Sequence, residues 1–183
     1  GDIVALLSGR NFETRQDEKE IADLSFQKLE KGLYQFTNEN KFKQFVQNIL
    51  RGSGYDEPNM LIARNAVNYA YAMYLRLLDI GENHADANSL VRRLLAISLM
   101  TGRHSGSFET QFEQDIKRIQ STGDMAKFVA TLEEQELSDV FWNSTLVDEF
   151  DKPTTNNPFW HMFIAAQNKL LKQSFLLKNN IAR

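Results

Sequence analysis

Apolar residues recur along this chain at three- and four-residue intervals, and short polar stretches with glycine, asparagine or proline separate the runs. That spacing marks one face of an α-helix. Ala22, Phe26, Leu29 and Leu33 sit at i, i+4, i+7 and i+11 of a helix predicted from Glu18, with Gly32 weakening its last turn. Asn38 or Asn40 starts the next, where Phe42, Phe45, Val46, Ile49 and Leu50 occupy i, i+3, i+4, i+7 and i+8. Gly52-Ser53-Gly54 ends it. Asp56-Glu57-Pro58 reads as a helix start, because proline in a first turn gives up no hydrogen bond. That helix is predicted to run to Ile80. Ala63, Val67, Ala70, Tyr71, Tyr74 and Leu78 form its apolar face, widened by Leu75 and Leu77, which makes it the central element.

Asp86 or Asn88 is the expected cap of the following segment. There Leu90, Val91, Leu94, Leu95, Ile97, Leu99 and Met100 go nearly all round the helix, so most of its sides are buried. Arg92 and Arg93 on such a helix need a partner or a route to water. Ser107 can cap the next helix, with Phe108, Phe112, Ile116 and Ile119 on one face. After the Ser121-Thr122-Gly123 turn, Asp124 caps a short helix carrying Met125, Phe128, Val129 and Leu132, and Glu133, Glu134 and Glu136 read as its solvated end. Ser138 starts a segment with Phe141, Trp142 and Leu146. Asn157-Pro158 is an N-cap and N1 pair ahead of Trp160, Phe163, Ile164, Leu170 and Leu171. A helical stub carries Ile3, Val4, Leu6 and Leu7. No stretch alternates long enough to be a strand. The pattern therefore predicts an all-α, irregular multi-helix bundle of about eight helices, forming one domain over residues 1–183. The weak punctuation around Pro153 is the one candidate boundary.

Composition narrows the picture. A chain of 183 residues with 42% hydrophobic and 11% aromatic content can bury a core without staples. It has no cysteine, which excludes disulfides, thiolate metal sites and cysteine nucleophiles. A formal charge of −3 argues against a wholly basic nucleic-acid or membrane surface and leaves room for a local patch. No apolar run is long enough to span a membrane, and the first residues, GDIVALLSGR, lack the basic n-region and cleavage site of a signal peptide, so a cytoplasmic location is expected. The apolar start and the uncapped end predict a fragment of a longer protein.

The chemistry concentrates in residues 101–115, TGRHSGSFETQFEQD. Gly102 and Gly106 flank Arg103, His104 and Ser105 just ahead of a helix start. Free backbone N–H groups, a hydroxyl, a cation and an imidazole together make a candidate anion or phosphate site of Arg103, His104, Ser105 and Ser107. The same residues suit a tight turn in which Asp115 or Glu109 folds back on Arg103 and pins the loop. Arg92, Arg93 and Lys117 form a candidate basic patch with Arg103. Glu109, Glu113 and Asp115 read as a solvated face, with Glu113 and Lys117 paired at i, i+4. Tyr69, Tyr71 and Tyr74 have core spacing. His84, His104 and His161 are scattered and no metal-ligand motif occurs, so no metal is expected. The segment also lacks the lysine and spacing of a P-loop and the elbow of a serine hydrolase.

Residues 92–119, RRLLAISLMTGRHSGSFETQFEQDIKRI, resemble the GmrSD-type family of restriction-associated proteins. Thr101, Gly102, Arg103, Ser105, Gly106, Ser107 and Glu109 match the family's T-G-R-Y-S-G-S-x-E run, and His104 stands where tyrosine is usual. LLSGRNFETR at 6–15, NAVNYAYAMYL at 65–75 and PFWHMFIAAQNKLLKQSFL at 158–176 resemble the same family in the same order. The family's N-terminal ParB/sulfiredoxin-like domain, with its Asp-Gly-Gln-Gln-Arg motif, is missing here, and so is the HNH-type nuclease module. The resemblance implies a helical scaffold or coupling domain of a prokaryotic protein that restricts foreign or modified DNA. It implies no cofactor for this segment and a nucleoside triphosphate for the missing N-terminal domain. It assigns no catalytic role to any residue present.

Overall fold

In the computed structural model, which describes residues 22–152 and 157–171, the regular elements are all helical. Eight α-helices lie among the described residues: α1 Ala22–Phe36, α2 Glu39–Phe45, α3 Arg64–Asp79, α4 His84–Thr101, α5 Phe108–Thr122, α6 Met125–Glu136, α7 Leu146–Phe150 and α8 Pro158–Leu171. The fold is the expected all-α multi-helix bundle. The stub at residues 3–7, the predicted start at Glu18 and the Pro153 boundary lie outside the described residues.

Helices α3 and α4 form the centre, a hairpin whose long faces pack on one another more extensively than any other described pair. Tyr69, Ala70, Met73, Tyr74, Leu75 and Leu77 of α3 are fully buried, as are Val91, Leu94 and Leu95 of α4. A large apolar side chain buried to that extent contributes about 1.5–3 kcal/mol. Phe45 and Ile49 close this core on one side, and Phe112, Ile116, Phe128 and Leu132 on another. The core spacing of Tyr69, Tyr71 and Tyr74 thus does what it predicts. A second, smaller cluster gathers Met100, Phe141 and Phe159 under α7 and α8.

Most termini have the chemistry expected of them. Asn38 caps α2 by accepting from the Lys41 amide at 3.0 Å, and Asp124 caps α6 through the Lys127 amide at 3.1 Å. Asn157 accepts from the Phe159 amide at 2.9 Å and donates to the Glu149 carbonyl at 2.7 Å, which fixes the entry to α8. Ser138 accepts from the Phe141 amide at 3.4 Å.

Several expectations need correction. The cap of α4 is Asn83, not Asp86 or Asn88; its side chain accepts from the Asp86 amide, and Asp86 and Asn88 lie inside the helix. No continuous helix runs from Pro58 to Ile80. Pro58–Met60 makes one 3₁₀ turn and α3 begins only at Arg64. The Met60 carbonyl meets His161 Nδ1 at 3.0 Å, and the Arg64 amide bonds Ile62 instead, so the ladder is interrupted. Helix α2 passes into a π turn at Val46–Leu50 and a 3₁₀ turn at Arg51–Ser53. Leu29, Leu33 and Phe42, placed on buried faces by their spacing, are about half exposed. In α8 the buried residues are Phe159 and Ala165, and Leu170 and Leu171 are exposed.

Gly54 ends the segment after α2 with φ +92°, in the left-handed region, and its backbone lies so close to α8 that a Cβ would run into the Ala165 carbonyl. The Asn168 amide donates to the Gly54 carbonyl at 3.1 Å and locks the same junction. Only glycine satisfies both the dihedral and the approach.

Candidate functional site

The 102–107 loop is built by the end of α4. Thr101 donates its hydroxyl to the Ile97 carbonyl, and Gly102 turns the chain out of the helix at φ +61°. Ser105 closes the turn, donating both its amide (2.8 Å) and its hydroxyl (2.6 Å) to the Gly102 carbonyl. Ser107 precedes α5 but its side chain makes no cap hydrogen bond, contrary to expectation; the Phe108 amide bonds the Gly106 carbonyl.

The turn drives Arg103 inward. Its Nη2 donates to Asp115 Oδ1 at 2.5 Å and its Nε faces Asp115 Oδ2 at 3.4 Å, while Nη1 pairs with Glu136. The Arg103 side chain is 8% exposed and that of Asp115 is wholly buried. A fixed guanidinium fork thus joins the loop after α4 to the middle of α5 and the last turn of α6. Gln111 adds a donor to Asp115 at 3.1 Å. Of the two carboxylates weighed for the loop, Asp115 makes the pin, and Glu109 is exposed.

His104 is buried beneath this ion pair. Its ring lies 4.3 Å from the Tyr69 ring at 33° and meets Phe112 and Phe108 edge-on. Its Nε2 is 3.8 Å from Asp115 Oδ2, beyond hydrogen-bonding reach. Among the described residues, neither ring nitrogen nor the Tyr69 hydroxyl closes a hydrogen bond. Asn65 reaches the His104 carbonyl at 3.4 Å. The His104 imidazole therefore serves as part of an aromatic stack.

Charge in the cluster is balanced from within. Burial by itself raises the Asp115 carboxyl; the neighbouring His104 ring and the Arg103 fork favour the anion, and the net effect holds it below the usual carboxylate range. The fork is the contact with hydrogen-bond geometry. Burial, reinforced by the Asp115 charge, holds the Tyr69 phenol well above its ordinary value. Arg103 is held above its ordinary value: burial opposes its charge, and Asp115 and Glu136 more than offset that.

The other basic candidates go elsewhere. Arg92 donates Nε to the Asn48 carbonyl at 2.7 Å, at the end of the α2 segment. Arg93 forms a fork with Glu133 of α6, its Nε at 2.6 Å from Oε1. Lys117 pairs along α5 with Glu113 at 3.2 Å. The structure brings Arg103 and His104 together with Asp115, and takes Arg92, Arg93 and Lys117 to three separate partners. Ser105, Gly106 and Ser107 are exposed. His84 is exposed at the start of α4, and among the described residues no three His, Cys, Asp or Glu side chains converge as metal ligands. No helix among them is long and apolar enough to cross a membrane.

Two members of the cluster had a legible signal that composition alone hides. Asp115 falls inside the stripe Phe108, Phe112, Ile116, Ile119, three residues after one apolar position and four before another. Glu136 continues Phe128 and Leu132 at four-residue steps, so it shares their face. The expectation of a solvated α6 end holds for Glu134 but not for Glu133 and Glu136, which pair with Arg93 and Arg103. Gln111 carries no such mark. Comparison of the chain with protein-family models, curated proteins and solved structures returns no match.

Proposed function

We propose that this helical domain is a non-catalytic scaffold and coupling module of a GmrSD-type DNA-restriction protein. The observation that carries the reading is the Arg103 joint. The residues through which the chain resembles that family, Gly102, Arg103 and Ser105, are here the turn, pin and lock that bind α4, α5 and α6 into one unit. A module that relays the state of one domain to another needs such a rigid junction between elements. Nucleotide hydrolysis would then belong to a ParB/sulfiredoxin-like neighbour and DNA cleavage to an HNH-type nuclease. The inward turn of Arg103 leaves its donors on carboxylates, which supports a structural use of the motif over phosphate contact.

The test has two parts. The chain is titrated with short duplex DNA, GTP and ATP at low and moderate salt, beside Arg103→Ala. The reading expects no binding and a less stable variant. Salt-sensitive DNA binding that the variant loses would replace it with a nucleic-acid-binding module centred on the 103–107 loop. In the intact protein, Asp115→Asn is expected to leave nucleotide hydrolysis standing while DNA cleavage falls. Equal loss of both, or of neither, would overturn the coupling role.

A further inference from the structure

A cavity of about 320 Å³ lies where the 51–55 segment, α4 and α8 meet. Its walls are mainly apolar, with Leu95 and Met162 among them, and its polar lining is Ser53, Tyr55, Arg92 and Lys169. Among the described residues no carboxylate lines it, in a chain whose net charge is −3. Two cations, two hydroxyls and no acid make the lining selectively anion-attracting.

The polar groups are held by the fold. Arg92 is anchored by its Nε and Nη2 to the Asn48 carbonyl, and a Cβ at Gly52 would collide with its guanidinium. The absence of a side chain at Gly52 is what lets the guanidinium lie there, and its Nη1 takes no acceptor among the described residues. Gly54 docks the same loop on α8, as described above, and so fixes Ser53 between the two glycines. The Ser53 hydroxyl is buried and has no hydrogen-bond partner among the described residues. A buried hydroxyl at a cavity wall without a partner is a group that a ligand can satisfy. Lys169 and Leu170, both exposed, form the rim. A mostly apolar concavity with a few fixed polar groups is the usual form of a small-molecule site.

We propose that this pocket binds an amphipathic organic anion, with Arg92, Ser53 and Lys169 taking its carboxylate or phosphate head and Leu95 and Met162 lining its short apolar body. The site is separate from the Arg103 joint and does not depend on the coupling role. It gives the domain a ligand whose presence would brace the contact of α8 with α4.

The whole chain is titrated by calorimetry with sodium octanoate and octyl phosphate, and with octan-1-ol and inorganic phosphate as the two halves. At least one octyl anion is expected to bind saturably at one site, and about tenfold or more tighter than either half. The preferred anion identifies the head group. Lys169→Ala and Ser53→Ala are each expected to weaken it about tenfold, since each removes one head contact. Lys169 is exposed, so its variant folds, and its melting temperature without ligand is expected to match the parent. Absence of saturable binding by both octyl anions would overturn the proposal. So would octan-1-ol binding as tightly as they do, or unchanged affinity in both variants.

Discussion

Arg103 and Asp115 are separated by twelve positions, yet they meet as a fork in a place that solvent hardly reaches, with Nη2 2.5 Å from Oδ1. Each side chain is tolerable there only because of the other. A lone guanidinium or carboxylate at that depth is severely penalised, and the pair together with Glu136 and Gln111 satisfies the donors and acceptors locally.

Breaking this pair from one side should therefore be costly and non-additive. Asp115→Asn keeps the shape and removes the charge, and is expected to destabilise the domain by about 3–5 kcal/mol. Arg103→Met should cost a similar amount, and the double variant much less than the sum, because neither charge is then left alone. Urea unfolding of the four proteins measures the cycle; simple additivity would show that the two residues act independently. Glu133→Ala, which breaks the partly exposed pair with Arg93, should cost only about 1 kcal/mol or less.

The same carboxylate sets a pH dependence. Asp115 in the folded state titrates below its ordinary value of 3.8, so the unfolded chain takes up the proton first as pH falls. Its contribution is complete above that value and is lost as pH drops through the folded pKa. Stability of the parent should fall more steeply than that of Asp115→Asn between about pH 5 and pH 2. Parallel profiles would mean that another group carries the acid transition.

Gly54 and Gly102 both have positive φ, but only Gly54 also abuts another helix. At Gly102 the nearest atom to a new Cβ is Ser105 Oγ at 3.4 Å, so Gly102→Ala should cost about 1–2 kcal/mol of backbone strain alone. Gly54→Ala adds a collision with the Ala165 carbonyl and should cost distinctly more, with amide protection lost first in α8. Equal thermal shifts for the two variants would contradict the close approach.

Capping offers a sharper contrast. Asn38→Ala and Asp124→Ala each remove a side-chain acceptor from a helix start and should cost about 1 kcal/mol. Ser107→Ala, at a start that looks equally well capped in sequence, should be close to neutral, because its hydroxyl makes no cap bond. A Ser107 effect as large as the other two in thermal unfolding would place that hydroxyl on the α5 amides after all.

The helical periods determined the class of the fold and much of its interior. Phe112, Ile116 and Ile119, or Met125, Phe128, Val129 and Leu132, are buried as their spacing requires, since a three- or four-residue step keeps side chains on one face whatever that face meets. Local chemistry likewise determined the caps at Asn38, Asp124 and Asn157, where donor and acceptor lie within three residues of each other. Tertiary structure alone decided the rest. Whether Leu33 or Phe42 is covered depends on how far the neighbouring helices extend, and both are about half exposed. Whether α3 reaches back to Pro58 depended on His161, a hundred residues away, drawing the Met60 carbonyl. The Arg103 turn allowed either an anion site or a pin as a sequence. Arg103 itself is met by Glu136 and Asp115 arriving from two other helices, a pairing that depends on where charges end up in space and not on their order along the chain.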